Sequence, residues 1–218
     1  MTSSVDVRQT DSLLTTTRAV RRRLDLDRPV EPEVLLDCLR VSAQAPSGGN
    51  GQRWRWVLVR DQDRKAAIAE LYSRSYDAYI EPKRAMVTPD DTASLRMIAS
   101  STHLADTMAE VPVLAIPCVL DRIDATASSQ ELAGFYGGIF PAVWSFQLAL
   151  RSRGLGSALT TLHLEYETEV AEVLGIPPSV TQVALLPVAY YTGESFRQAP
   201  RRPVEEITYW DSWKVTTP

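Results

Sequence analysis

The chain has 218 residues, 44% hydrophobic and 23% charged, with a formal net charge of −4. That composition describes a globular protein and excludes disordered, collagen-like and membrane-embedded classes. The acidic balance argues against a general nucleic-acid binder, which needs a basic face for phosphates. The length suits one domain, 1–218, with room for an arm or an excursion. The longest apolar run, 111–120, is interrupted by Pro112 and Pro117. It falls short of the roughly 18–20 residues that a membrane-spanning helix requires. The first residues, Met1 to Asp6, show neither a basic nor an apolar leader segment, so a cytoplasmic protein is expected.

Two cysteines, Cys38 and Cys118, lie inside apolar stretches and read as buried thiols rather than a disulfide framework. Two histidines, His103 and His163, without HExxH or CxxC spacing, give no metal set, so no metal is expected. The cations are twenty arginines against Lys65, Lys83 and Lys214. Only their clustering is informative.

In chain order, 5–17 reads as a helix with Leu13 and Leu14 on its apolar face. A basic run follows, Arg18-Ala19-Val20-Arg21-Arg22-Arg23. A second helix starts at Glu31 with Pro32 in its first turn, where a missing N–H costs nothing. Its apolar positions, Val34, Leu35, Cys38 and Leu39, recur at helical spacing. It stops at the breaker cluster Ala45-Pro46-Ser47-Gly48-Gly49-Asn50-Gly51.

Residues 54–60 are rich in strand formers, and Trp54 and Trp56 are expected to pack on the core. Asp61 caps the next helix, which carries Ile68 and Leu71. The stretch 73–91 reads as irregular: Tyr72, Tyr76 and Tyr79 keep helical spacing, then Pro82 and Pro89 break it. A helix over 92–110, a buried strand over 113–120 and a polar connection over 121–129 follow. An apolar helix over 138–154 feeds a strand over 157–162. A short helix, 165–174, stops at Gly175-Ile176-Pro177. A last strand covers 183–191, and 193–218 holds Pro200, Pro203, Trp210 and Trp213 with little periodicity. Strands and helices interleave, so the class is α/β or α+β.

Several catalytic signatures are absent from the sequence. It has no P-loop, no GxSxG elbow and no GxGxxG, because Leu159 stands where the third glycine would fall after Gly154 and Gly156. Three segments suit a planar anionic ligand. Arg18, Arg21 and Arg22 offer guanidinium forks to a phosphate. The loop from Pro46 to Gln52 lets backbone approach a ring edge, with Ser47 and Asn50 able to donate and accept. Pro200-Arg201-Arg202-Pro203 is a second basic clamp. Taken alone, each reads equally as a solvated charge run or a connecting turn.

Together they resemble the FMN-dependent nitroreductase family. The match runs through Thr17-Arg18-Ala19-Val20-Arg21-Arg22, Ala45-Pro46-Ser47-Gly48-Gly49-Asn50-Gly51-Gln52, Arg153-Gly154-Leu155-Gly156-Ser157 and Pro200-Arg201-Arg202-Pro203, in the family's order across nearly the whole chain. The resemblance implies an α+β fold, a mostly antiparallel central sheet flanked by helices, and an intertwined homodimer with FMN at its interface. By the same resemblance, Arg18 and Arg201 hold the phosphate with the Ala19 backbone, and Arg21 lies near the flavin pyrimidine. Pro46, Ser47, Gly48 and Asn50 come from the other subunit. Leu159, Thr160 and Thr161 line the ring, with one of their backbone N–H groups facing N5. The sequence departs from the family's pattern at Ala19 for serine, Arg53 for proline and Ala199 for lysine.

The activity so implied is hydride transfer from NADH or NADPH through the flavin to a flat electron-poor acceptor, a nitroaromatic, quinone or activated alkene, with ping-pong kinetics. The cofactor carries the chemistry, so no acid–base side chain stands out and no catalytic residue is named. Residues 72–91 are expected to form a specificity lid, or else a plain surface excursion, and 193–218 an arm on the partner subunit, or else a tail packed on its own domain. Two other readings stay open: a biosynthetic flavin oxidase, and a flavin-binding store or sensor without turnover. His163 reads as a satisfied core histidine or a substrate contact. Arg55, Arg60 and Arg84 are equal candidates for a ribose phosphate.

Overall fold

Every residue of Val113–Val119 is buried, and this stretch (β2) is the centre of a five-stranded sheet. Trp54–Val59 (β1) pairs with it along its whole length, from Trp54 opposite Val119 to Val59 opposite Leu114. On the other side lie Thr181–Gln182 (β4) and Leu186–Tyr190 (β5), and Leu155–Ser157 (β3) pairs with β5 at the far edge. All four pairings are antiparallel. The α+β alternative is therefore the correct one. A strand covered on both faces reads as a continuous apolar run, which is why β2 is visible in the sequence.

The computed structural model describes residues 5–217. They fall into two compact units, one of residues 18–193 and one made by the described residues of the two ends, 5–17 and 194–217. In the larger unit Pro32–Ser42 (α2) and Phe140–Ser152 (α6) pack together over the sheet. Leu35 and Cys38 of α2 join Val143, Phe146 and Leu150 of α6 and Ala115, Leu186 and Val188 of the sheet in one core. The Trp56 ring lies 4.7 Å from that of Phe146, and Ser42 Oγ donates to the Ala142 carbonyl at 2.7 Å.

Four segments differ from the sequence reading. The helix capped by Asp61 (α3) runs from Gln62 to Met86, straight through the stretch expected to be irregular and through Pro82. Ile68, Tyr72, Tyr76 and Ile80 are all buried at four-residue spacing. That burial outweighs the roughly 3 kcal/mol by which proline disfavours a helix interior. Thr92–Asp106 (α4) ends earlier than expected, and a 3₁₀ turn covers Met108–Glu110. Ser129–Gly137 (α5) precedes α6 and starts from a capping box of Ser128 and Glu131. The strand expected over 157–162 ends at Ser157. The chain then touches the sheet only where Thr160 bridges Leu185, and enters a 3₁₀ turn at Leu162–Tyr166. Glu167–Leu174 (α7) ends at Gly175, whose φ of +67° makes the left-handed cap.

The smaller unit holds Val7–Thr16 (α1), capped by Asp6, whose carboxylate accepts from the Arg8 and Gln9 amides. Gln198 Nε2 donates to Thr15 Oγ1 at 3.2 Å. Tyr209 and Trp213 meet edge to face at 4.7 Å. No helix among the described residues is long and apolar enough to cross a membrane.

Candidate functional site

The first basic run is laid along the edge of the sheet. The Val20 amide donates to the Ser157 carbonyl at 2.9 Å, and the Asp25 amide to Tyr190 at 2.7 Å. Val20 is buried; Arg18 and Ala19 are exposed, and Arg21 is half-buried. Arg23 is tied to the fold, its Nε donating to the Thr192 carbonyl at 2.5 Å.

Arg21 lines a cavity of about 250 Å³ together with Tyr72 and Tyr79 of α3, Met97 and Ser101 of α4, and Leu159, Thr160 and Thr161. No carboxylate lines it. Among the described residues the Arg21 guanidinium makes no hydrogen bond or ion pair, and a half-buried cation without a partner is costly to keep. Thr160 exchanges both backbone hydrogen bonds with Leu185, at 3.0 and 2.8 Å. Its hydroxyl lies 3.3 Å from the Tyr72 hydroxyl. The Thr160 N–H is therefore spent. The amides of Leu159 and Thr161 have no partner among the described residues and remain as donors. Burial pushes the Tyr72 phenol above its ordinary value, so it stays protonated. Tyr76 is anchored by contacts of 2.9 Å to Ser101 Oγ and 2.8 Å to Thr102 Oγ1.

The breaker loop is a built turn. Gly49, Asn50 and Gln52 have φ of +56°, +54° and +45°. Two non-glycine residues in that region cost roughly 1–3 kcal/mol each, a strain found most often where backbone is shaped for a ligand. Gln52 secures the loop, donating from Nε2 to Asn50 Oδ1 at 2.9 Å and from its amide to Ser47 Oγ at 3.2 Å. Ser47 and Gly48 line a second cavity, of about 750 Å³, with Trp54, Asp121, Glu131 and Phe135 among its walls. Arg53 pairs with Asp121 there.

The predicted site residues thus divide. Arg21, Leu159, Thr160 and Thr161 share one cavity, and Ser47 and Gly48 line another that has no residue in common with it. Arg18, Ala19, Pro46 and Asn50 line neither. Arg201 belongs to the smaller unit, where its guanidinium donates to the Pro200 carbonyl at 2.9 Å. Sequence reasoning missed Met97 and Ser101, which only the packing of α4 brings in. It also missed Phe135, whose helix was announced by the Ser-x-x-Glu box at Ser128 and Glu131.

His163, Cys38 and Cys118 are buried titratable groups outside both cavities. His163 is fully buried with neither ring nitrogen hydrogen-bonded, and burial pushes its pKa down to about 4. It is a core histidine, but not a satisfied one. Burial likewise raises the Cys38 thiol to about 11 and the Cys118 thiol to about 12. Among the described residues no group of His, Cys, Asp and Glu is arranged to hold a metal.

A model of the Nitroreductase family matches residues 14–190. Iodotyrosine deiodinase of Hydra vulgaris is 25% identical over 183 residues, covering 82% of this chain and 64% of that protein. The NADH dehydrogenase of Thermus thermophilus is 26% identical over 195 residues, covering 88% and 91%. The crystal structure of oxidised iodotyrosine deiodinase bound to FMN and 3-iodo-L-tyrosine superimposes with a TM-score of 0.67 and 25% identity, covering 92% of this chain and 98% of that one.

Proposed function

The chain belongs to the nitroreductase family, and we propose on that premise that it is an FMN-dependent oxidoreductase that moves a hydride from NADH or NADPH to a flat, electron-poor acceptor. The observation that carries this reading is Arg21. It is a half-buried guanidinium without a partner among the described residues, in a cavity that Leu159 and Thr161 also line, and the amides of both have no partner among those residues. Those are a cation and two donors for an electron-rich planar ring, and the residues fit the group. FMN, when bound, supplies the two-electron chemistry, taking a hydride from the nicotinamide and giving it to the acceptor.

The chain's own residues bind and orient. Arg21 sets a cation where negative charge accumulates in the ring. Thr160, locked to Leu185, holds Leu159 and Thr161 in place. Arg18, the Ala19 backbone and Arg201 would take the phosphate. Pro46, Ser47, Gly48 and Asn50 would reach the ring of a second copy. The separation of the Ser47 loop from the Arg21 cavity within one protomer supports that homodimer. Val204, Ile207 and Trp213, 62%, 64% and 78% exposed, suit an arm over 193–218 that packs on the partner. We read residues 1–218 as one nitroreductase-like domain with this arm, and 72–91, which carries Tyr79 into the cavity, as its specificity lid.

Reductive dehalogenation of an iodinated aromatic is a second reading, favoured by the deiodinase relative and the deiodinase structure. An absorbance spectrum followed by anaerobic NADH and then NADPH tests the proposal. Flavin bands that bleach support it and identify the donor. Bands that persist favour an oxidase or a sensor. A colourless protein that takes up no added FMN overturns it. Release of iodide from 3-iodo-L-tyrosine by the reduced protein would select the second reading.

A further inference from the structure

A buried amine opens on a third cavity, apart from the two described above. Lys65, near the start of α3, is 5% exposed, and its Nζ donates to the Val111 carbonyl at 2.8 Å. Among the described residues that is its single hydrogen bond, and it has no ion pair. Burial lowers its pKa from the ordinary lysine value, because the charge loses water and gains no carboxylate. The cavity has a volume of about 300 Å³ and shares no residue with the Arg21 or Ser47 cavities. Leu26, Val30 and Pro112 give it an apolar wall, and Arg60, Asp27 and Glu110 bring exposed charges to it. None of those three side chains has a hydrogen bond or ion pair among the described residues. Gln62, the remaining polar wall residue, is spent on the Ala109 carbonyl at 3.1 Å. The chain's other lysines, Lys83 and Lys214, are half-buried and exposed.

We propose that Lys65 is a modification site that condenses with a short aliphatic aldehyde carrying one carboxylate, and that Arg60 holds the carboxylate. The neutral amine attacks the carbonyl carbon and a C–N bond forms. Both amine hydrogens then leave with the carbonyl oxygen as water, and the product is an imine. No oxidant or reductant takes part. A desolvated lysine whose one partner is a neutral carbonyl keeps a larger share of unprotonated, nucleophilic amine than a solvated one. The guanidinium fork matches a carboxylate, and the methylene chain has Leu26, Val30 and Pro112 to lie against. Asp27 and Glu110 disfavour a second anionic group on the aldehyde. Neither flavin nor its acceptor enters this chemistry.

The test treats the native holoprotein with succinate semialdehyde or with butanal, which has the same chain length and no charge. Imines are trapped with cyanoborohydride, and the adducts on Lys65, Lys83 and Lys214 are counted by peptide mass spectrometry. Succinate semialdehyde should label Lys65 about fivefold faster than either other lysine, the margin that one exposed charge pair can supply. With butanal, or with succinate semialdehyde on Arg60→Gln, that lead should fall to less than about twofold. Arg60 is exposed and without a partner, so its replacement leaves the fold intact. In denaturant the three lysines should label alike. The proposal is overturned if native Lys65 labels no faster than Lys83 and Lys214, or if its lead survives in denaturant. It is overturned equally if butanal or Arg60→Gln leaves the lead unchanged.

Discussion

A methyl group placed on Gly156 would fall 2.8 Å from Cβ of Val20, closer than carbon atoms pack. The contact exists because the Val20 amide reaches the Ser157 carbonyl at 2.9 Å, drawing the arginine run onto β3. Gly156 is thus required by the approach of another backbone and not by its own φ. Since Arg21 is the next residue along the run, the same contact sets where its guanidinium emerges. Gly156→Ala should cost roughly 1–3 kcal/mol through overpacking and should also weaken flavin uptake. Thermal melts with and without FMN would show both effects. An unchanged melting temperature would mean that Val20 gives way freely.

Arg21→Gln separates stability from ligand binding. Its charge has no partner within the described protein, so removing it should leave the melting temperature of the flavin-free protein unchanged or slightly raised. A hydrogen bond to a charged group is worth roughly 1.5–3 kcal/mol. FMN affinity should accordingly fall by about ten- to a hundredfold, read by fluorescence titration. A destabilised protein with unaltered FMN affinity would assign Arg21 a structural part instead.

His163 predicts an acid limb of stability. Its folded pKa of about 4 lies below the ordinary value of about 6.5, so between these values the unfolded chain binds the proton that the folded chain refuses. Stability should be intact above about pH 6.5, decline as the pH falls toward 4, and lose no more from this group below that. The full effect is on the order of 3 kcal/mol. His163→Leu, which removes two nitrogens without partners, should melt at or above the wild-type temperature at pH 8. The gap between the two proteins should widen at pH 5. Parallel pH profiles would show that the imidazole has a partner in solution.

Cys38 and Cys118, with thiols raised to about 11 and 12 by burial, should remain protonated at pH 8. A thiolate-specific reagent at that pH should label neither in the native protein within minutes and both in denaturant. Rapid native labelling of either would place it at an accessible surface.

Much of the fold was legible where local chemistry and packing agree. The buried run of β2, the Pro32 start of α2 and the Gly175 stop of α7 each follow from a residue's own conformational preference. Where the two conflict, packing prevailed. Pro82 reads as a breaker, yet Tyr72, Tyr76 and Ile80 bury enough apolar surface to carry α3 past it. The segment after Ser157 is apolar enough for a strand, yet only Thr160 meets a sheet partner. Ser128 and Glu131 spelled out a helix start that the apolar run at Phe140 overshadowed.

The sequence by itself determined the inventory of the candidate site: which arginines, which glycine-rich loop and which threonines. These are local properties, carried by residue type and order along the chain. Only the tertiary structure decided the grouping. Hydrogen bonds to Leu185 consumed the amide of Thr160, while those of Leu159 and Thr161 have no partner among the described residues. The packing of α3 and α4 supplied Tyr79, Met97 and Ser101, and the Ser47 loop was given a cavity of its own. Partners far apart in sequence are chosen by which surfaces can be buried together, and no local pattern encodes that choice.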